Sequence, residues 1–225
     1  MILKIAAITD EAKLAELLGK LDALTWQDGR ATAGAVARQV KHNQQAVMTD
    51  AAWRDLNAVL TPLISENPVV KAAARPRRIS APMVSKTEGG GHYGAHVDNA
   101  IMGSANARMR TDISFTLFLS EPDSYEGGEL VIHTAGMTQS IKGAPGELIL
   151  YPSTSIHEVR PVTKGARIVS VGWIESIIRD DTQRELMFDL ENLRTSLRQK
   201  LPAGSQELLT LDKSMSNLLR MWGQV

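Results

Sequence analysis

The chain of 225 residues contains no cysteine. It can therefore form no disulfide, thiolate metal site or iron–sulfur cluster, and it has no thiol nucleophile. The chain also has no excess of positive or negative charge, because 25 lysines and arginines balance 25 aspartates and glutamates. This balance gives no indication of a nucleic-acid partner. No apolar run is long enough to cross a bilayer, so we expect no membrane partner.

The length and the first residues favour one cytoplasmic domain. The start, MILKIAAITDEAK, has Lys4 inside its apolar run and acids at Asp10 and Glu11. It is too short and too interrupted for a signal peptide, which predicts a cytoplasmic location. A chain of this length can bury a sizeable core, and one domain with appendages is favoured over two full domains.

The hydrophobic pattern divides the chain into three regions. Residues 1–76 open with a short apolar strand and are then mainly helical, with Thr49 as the expected N-cap of the second helix. Residues 77–177 contain short strands separated by turns, and residues 113–119 alternate with a period of two. Residues 178–225 are helical again. The pattern predicts an α+β protein in which an antiparallel sandwich or barrel is flanked by N- and C-terminal helices.

Two histidines and one aspartate form the candidate metal site. His96 and Asp98 are two positions apart, so in a strand their side chains lie on one face and can reach a single ion. His157 comes from a distant strand, which a closed or sandwiched β-scaffold can bring near. Two imidazoles and a carboxylate are the facial triad that holds Fe(II) and leaves other coordination positions open. The alternative is a pair of surface polar groups and an unrelated histidine.

Arg167, ten residues after the last of these histidines, is the candidate for binding an anionic co-substrate. It shares a strand face with Val169 and Trp173, which indicates that it points inward. A buried guanidinium needs an anionic partner, and its planar geometry suits a carboxylate. The alternative is a structural salt bridge to a protein acid such as Glu147 or Glu175.

The strand-rich region resembles the Fe(II)- and 2-oxoglutarate-dependent dioxygenases, and more narrowly the bacterial PKHD-type, prolyl-4-hydroxylase-like hydroxylases, in the segments YGAHVDN, GGEL, YPSTSIHEVRPV and GARIVSVGWI. The resemblance covers residues 78–176, and the helical tail is similar to the family's C-terminal extension. It implies a double-stranded β-helix (jelly-roll) core. It also implies that His96, Asp98 and His157 are the catalytic iron ligands, that Arg167 binds the C5 carboxylate of 2-oxoglutarate, and that ascorbate is the auxiliary reductant.

The resemblance implies a hydroxylase, and two other kinds of protein stay open. The expected enzyme uses dioxygen and 2-oxoglutarate to hydroxylate a small molecule, an amino acid or a peptide. One alternative is a metal-dependent jelly-roll enzyme that does not use 2-oxoglutarate. The other is a non-enzymatic module that senses iron or 2-oxoglutarate. The superfamily uses one core for many substrates, so the resemblance does not identify the substrate.

The segment of residues 99–110 follows the first two candidate ligands and is rich in small and polar side chains. This composition predicts a mobile loop beside the metal site. Arg108 and Arg110 would then meet an anionic group on the substrate. An equally good alternative pairs Arg110 with Asp112 or Glu126.

Two further features carry expectations about contacts. Tyr93, three residues before the first candidate ligand, is a candidate for contact with substrate or co-substrate. The alternative is that it has no role in binding. The C-terminal region carries a leucine stripe at helical spacing, Leu186, Leu190, Leu193 and Leu197. Such a stripe predicts a homodimer interface or, alternatively, a face that packs on the N-terminal helices.

Overall fold

The structure is a computed structural model that describes residues 1–32, 37–103 and 107–224. Within these ranges the strands are β1 (Leu3–Ala6), β2 (Trp26–Asp28), β3 (Lys41–His42), β4 (Gln44–Ala46), β5 (Pro76–Ile79), β6 (Met83–Glu88), β7 (His92–His96), β8 (Ile101–Met102), β9 (Met109–Arg110), β10 (Ile113–Phe118), β11 (Glu126–Gly127), β12 (Leu130–Thr134), β13 (Met137–Ile141), β14 (Glu147–Pro152), β15 (Ile156–Val159), β16 (Val162–Lys164) and β17 (Ala166–Ser176). The α-helices are α1 (Glu11–Gly19), α2 (Ala51–Ser65), α3 (Pro68–Ala74), α4 (Asp181–Arg198) and α5 (Gln206–Trp222).

Two large antiparallel sheets form the core. The eight-stranded sheet has the order β1-β14-β10-β17-β6-β4-β2, and β5 pairs with the last part of β17. The five-stranded sheet has the order β13-β12-β15-β7-β3. Residues of both sheets line one pocket. Antiparallel sheets with flanking helices are the α+β architecture that the hydrophobic pattern predicts.

The central strand β10 is buried on both faces. Phe115 and Leu117 on one face belong to the main hydrophobic core, together with Leu56 and Leu60 of α2, and all four side chains are at most 1% exposed. Replacing either of these α2 leucines by alanine is expected to cost about 2–5 kcal/mol of unfolding free energy. Ser114, on the other face of β10, lines the pocket. Phe115 also lines the pocket, so β10 contributes to both the core and the pocket.

The second helix begins one residue later than the predicted cap implies. Asp50, not Thr49, is the N-cap: its backbone is extended, and its carbonyl oxygen accepts the first helical hydrogen bond from Arg54 N at 3.1 Å. Asp10 is the N-cap of α1, because its side chain accepts from the backbone of Ala12 and Lys13. Both residues accept hydrogen bonds from backbone N–H groups in the first turn of their helix.

The N-terminal region contributes three short strands besides the predicted opening strand β1. β1 and β4 join the eight-stranded sheet through β14 and β6, and β3 joins the five-stranded sheet through β7. The segments of β2, β3 and β4 have two or three residues each and no clear alternation. These segments are extended because they form hydrogen bonds to the edges of neighbouring strands. The local sequence therefore did not predict them as strands.

The C-terminal helices pack on each other around Ile178, Met187 and Met215. The chain end is tied back to the core, because Gln224 N donates to Ile177 O at 2.7 Å. Arg184 fixes the start of α4 by donating to Ile178 O at 2.7 Å. Among the described residues, the helices are all too short or too polar to cross a membrane.

Candidate metal and co-substrate site

Strand pairing brings the two candidate histidines together. β15 lies beside β7 with His157 directly opposite His96, and Asp98 follows two residues after β7 ends. Their potential ligand atoms all lie within 4.8 Å of one another. His157 Nε2 is 3.7 Å from Asp98 Oδ2. The three side chains that sequence reasoning selected therefore form one cluster that could hold a metal ion.

Backbone carbonyls orient both imidazoles. Nδ1 of His96 lies 2.8 Å from Gly94 O, and Nδ1 of His157 lies 3.1 Å from Ser155 O. In each pair Nδ1–H is the donor, since a carbonyl oxygen can only accept, and Nε2 keeps its lone pair for a metal. Burial, and next the neighbouring His157, lower the pKa of His96 to about 4. His96 is therefore neutral at pH 7, as a metal ligand must be.

Two buried serines support the carboxylate. Ser114 Oγ donates to Asp98 Oδ2 at 2.5 Å, and the hydroxyls of Ser114 and Ser153 are 2.7 Å apart. Both serines are at most 3% exposed. Sequence reasoning missed them as site residues, although the polar face of β10 was a usable signal for Ser114. Their hydrogen bonds fix the direction in which Asp98 presents its oxygens.

Tyr93 stacks on the first histidine. Its ring lies 3.6 Å from the His96 ring, with an angle of 16° between the planes. Lys41 Nζ lies 5.1 Å from the centre of the Tyr93 ring. Burial lowers the pKa of Lys41 to about 8, against the opposing effect of Asp98. Burial also raises the pKa of Tyr93, so the phenol stays protonated.

Arg167 lines the same pocket and is 2% exposed. The predicted alternative of a salt bridge to Glu147 or Glu175 is wrong. Glu147 pairs with Lys4 at 2.8 Å, and Glu175 lies 3.5 Å from Arg77. Within the described ranges no ion pair joins Arg167 to an acid, and its Nε has no hydrogen-bond partner. Burial lowers the pKa of Arg167 to about 10, which still leaves it charged at neutral pH.

One pocket, open to solvent at its mouth, contains both the candidate ligands and the buried arginine. Its cavity volume, counting only the space that the centre of a water molecule can reach, is about 90 Å³. The charged side chains among its described lining are Lys41, Asp98 and Arg167. The cluster of candidate ligands and the buried guanidinium thus share one cavity.

The segment after the candidate ligands, predicted as a mobile loop, contains two short paired strands. β8 and β9 pair in a two-stranded hairpin, with Ile101 opposite Arg110. Arg110 Nε donates to Asp112 at 2.6 Å, so the predicted pairing with Asp112 is correct and the role in binding a substrate anion is not supported. The small residues 104–106, on which the loop prediction also depended, lie outside the described residues.

Comparison with known proteins assigns the family. Residues 82–175 match the family model of the 2OG-Fe(II) oxygenase superfamily, and residues 181–224 match that of the PKHD-type hydroxylase C-terminal domain. A PKHD-type hydroxylase of Hyphomonas neptunium is 50% identical over 94% of this chain and 95% of its own length. Another from Synechococcus elongatus is 44% identical over the whole of both chains.

Solved structures support the fold. A Pseudomonas putida prolyl-4-hydroxylase is similar with a TM-score of 0.53 and 18% identity, over 78% of this chain and 92% of its own. A Trichoplax adhaerens prolyl hydroxylase, solved with a hypoxia-inducible-factor peptide, is similar with a TM-score of 0.56 and 18% identity, over 82% and 86%. These likenesses confirm the predicted jelly-roll core. On the sequence evidence, the chain belongs to the PKHD-type hydroxylase family within the 2OG-Fe(II) oxygenase superfamily.

Proposed function

We propose that this protein is an Fe(II)- and 2-oxoglutarate-dependent dioxygenase that hydroxylates a small-molecule, amino-acid or peptide substrate. One observation carries the proposal. A buried arginine, which forms no ion pair with an acid of the described chain, shares a pocket with two histidines and an aspartate whose ligand atoms converge. Membership of a hydroxylase family supports the same conclusion.

The donor set suits Fe(II). Nε2 of His96, Nε2 of His157 and a carboxylate oxygen of Asp98 would hold the ion, which leaves positions on the pocket side for reactants. Bound Fe(II), with 2-oxoglutarate and dioxygen, supplies the chemistry that joins oxidative decarboxylation to hydroxylation of a C–H bond. The residues of the chain bind and orient the reactants and shield them from bulk water.

Arg167 would pair with the far carboxylate of 2-oxoglutarate. Leu130 and Val169 line the same pocket and are at most 2% exposed. Tyr151, also in the lining, packs edge-on to the His157 ring at 5.1 Å. These side chains make this part of the pocket wall apolar, and a charge pair is stronger in such surroundings than in water.

The N-terminal strands would supply the substrate side of the pocket. Lys41, Asn43 and Gln45 alternate along β3 and β4, and all three line the cavity. Tyr93 stands beside them on β7. This wall offers a cation, two amides and an aromatic face, which suits a polar substrate such as an amino acid or a peptide. The two similar solved proteins are named as prolyl hydroxylases, so prolyl peptides are the first candidates to test.

Two assays on one preparation test the function. The protein with Fe(II), 2-oxoglutarate and air should release succinate, and a cell extract incubated with it should contain a product heavier by one oxygen in mass spectrometry. Binding of 2-oxoglutarate without succinate release would indicate the sensor instead. Oxygenation that does not require 2-oxoglutarate would indicate the other metal-dependent jelly-roll enzyme.

Ser114→Ala is expected to weaken Fe(II) binding roughly tenfold without unfolding the protein. The hydroxyl that orients Asp98 is lost, and supporting residues of this kind are typically worth 10–100-fold in metal affinity. Competition with a metal-sensitive dye measures the effect. Ser214→Ala, which removes a hydroxyl that bonds to Thr210 O within α5, is the control. Equal affinities in the wild type and Ser114→Ala would show that Asp98 needs no such support.

We also propose that ascorbate is the auxiliary reductant and that the protein is cytoplasmic. We further propose that the chain is divided into three regions, residues 1–76, 77–177 and 178–225, and that it forms a homodimer. The dimer is supported by Leu186 and Leu193 of α4, which are about half exposed. Light scattering of the whole chain is the measurement for the dimer.

A further inference from the structure

A buried tyrosine lies behind Arg167. Tyr125 is 3% exposed, and neither its Oη nor Arg167 Nε makes a hydrogen bond of good geometry. The phenol and the guanidinium are nevertheless close enough to interact, because Arg167 opposes the rise in the pKa of Tyr125. The two side chains are neighbours, because a Cβ on Gly128 would lie 3.0 Å from both Tyr125 Cε2 and Arg167 Cδ. Buried polar atoms without partners are rare in folded proteins. Two of them side by side indicate an arrangement that is completed when a ligand binds.

Two glycines let the tyrosine approach the strand that carries the arginine. Gly128 and Gly165 both have φ of 70°, a left-handed conformation that other residues rarely adopt. A Cβ on Gly165 would lie 3.0 Å from Tyr125 Cα and would overlap Ser124 O. Larger residues at either position would push Tyr125 away. The GGEL segment therefore builds the back wall of the arginine's site.

The tyrosine is a neutral neighbour for the guanidinium. Burial raises the pKa of Tyr125, although Arg167 acts in the opposite direction, so the phenol stays protonated at neutral pH. The negative charge of Glu129 helps to raise the pKa of Tyr125 and opposes the lowering of the pKa of Arg167. In the described chain, however, Glu129 forms no ion pair with Arg167. An acid in contact with Arg167 would cancel its charge. A phenol can accept from an N–H and leave the full charge for a ligand.

Lys142 contacts the ring and the backbone of Tyr125, not its hydroxyl. Its Nζ lies 4.1 Å from the centre of the Tyr125 ring and donates to Tyr125 O at 2.6 Å. Phe118 lies under the guanidinium, with Arg167 Cζ 5.5 Å from the ring centre. These contacts involve the Tyr125 ring and carbonyl and the face of the guanidinium, so they leave the Tyr125 hydroxyl and Arg167 Nε–H available to each other.

We propose that Tyr125 is a positioning residue for Arg167: its hydroxyl accepts a hydrogen bond from the guanidinium when a dicarboxylate co-substrate is bound. This inference rests on the proposed use of 2-oxoglutarate. The Nε–H then has an acceptor, and the terminal nitrogens are left to pair with the far carboxylate in planar, two-point geometry. Tyr125 contributes to co-substrate affinity through the arginine.

Tyr125→Phe tests the inference, because it removes one oxygen and keeps the ring beneath Lys142. Manganese(II) replaces Fe(II) so that no turnover occurs, and calorimetry measures 2-oxoglutarate binding. We expect Tyr125→Phe to bind 2-oxoglutarate about tenfold more weakly, since hydrogen bonds to charged groups are the stronger ones. Its manganese affinity and melting temperature should equal those of the wild type. Lys142→Met, which keeps the hydroxyl, should bind 2-oxoglutarate as the wild type does.

Three results would overturn the inference. The first is an unchanged 2-oxoglutarate affinity in Tyr125→Phe. The second is a parallel loss of manganese affinity, which would indicate general structural damage. The third is an equal weakening in Lys142→Met, which would assign the effect to the ring environment. A wild-type, manganese-loaded protein that does not bind 2-oxoglutarate would overturn the proposed function itself, and this inference with it.

Discussion

Replacing His96, Asp98 or His157 by alanine is expected to abolish tight Fe(II) binding while the fold survives. Three protein ligands are the whole donor set of the proposed site, and their ligand atoms lie within 4.8 Å of one another. Losing one leaves two donors, too weak a chelate to compete with water and buffer. Each side chain lies at the pocket and outside the main hydrophobic core, so little packing is lost.

Elemental analysis after dialysis against Fe(II) under anaerobic conditions measures the effect, and the melting temperature checks the fold. Metal that binds only the folded state raises the melting temperature, so Fe(II) should stabilise the wild type and none of the three variants. His133→Ala is the matched control, because His133 lies on β12 with a hydrogen bond to Thr138 and outside the pocket. Any of the three variants with full iron content would contradict the assigned ligand set.

Sequence reasoning reached the first pair of candidate ligands by geometry alone. The spacing of His96 and Asp98 predicted one shared face, because strand side chains alternate. In the structure β7 ends at His96, and Asp98 reaches the cluster from the residues that follow the strand. The same reasoning could not derive that His157 lies directly opposite His96, because the pairing of β15 with β7 joins segments about 60 residues apart. That juxtaposition is a property of the sheet topology. Only the family resemblance predicted it.

Other parts of the site depend on tertiary pairing that local patterns do not show. Lys41 and Gln45 line the pocket from strands of two or three residues, which exist because β6 and β7 provide edges. The hairpin of β8 and β9 has two residues in each strand and was predicted as a loop. Ser114 belongs to the alternating run of residues 113–119, but its bond to Asp98 crosses 16 residues of sequence, so the run did not reveal its role.

Arg167→Met is expected to remove most of the affinity for 2-oxoglutarate while leaving the metal site and the fold intact. A lost two-point charge pair in a buried site should cost on the order of 2–5 kcal/mol of binding free energy. The fold should not suffer, since the guanidinium is 2% exposed and no ion pair with an acid of the described chain compensates it. Methionine fills a similar volume, and removing a poorly compensated buried charge is often neutral or stabilising.

The metal-free Arg167→Met protein should therefore melt at or above the wild-type temperature, although it binds 2-oxoglutarate far more weakly in calorimetry with manganese(II). An unchanged or higher melting temperature together with a lower affinity for 2-oxoglutarate would indicate that the charge of Arg167 serves ligand binding and not folding. Arg160→Met, at an exposed position after β15, controls for the loss of a positive charge and should change neither quantity. If Arg167→Met instead melted well below the wild type and kept its affinity for 2-oxoglutarate, Arg167 would be a structural residue, and the co-substrate would have to bind elsewhere.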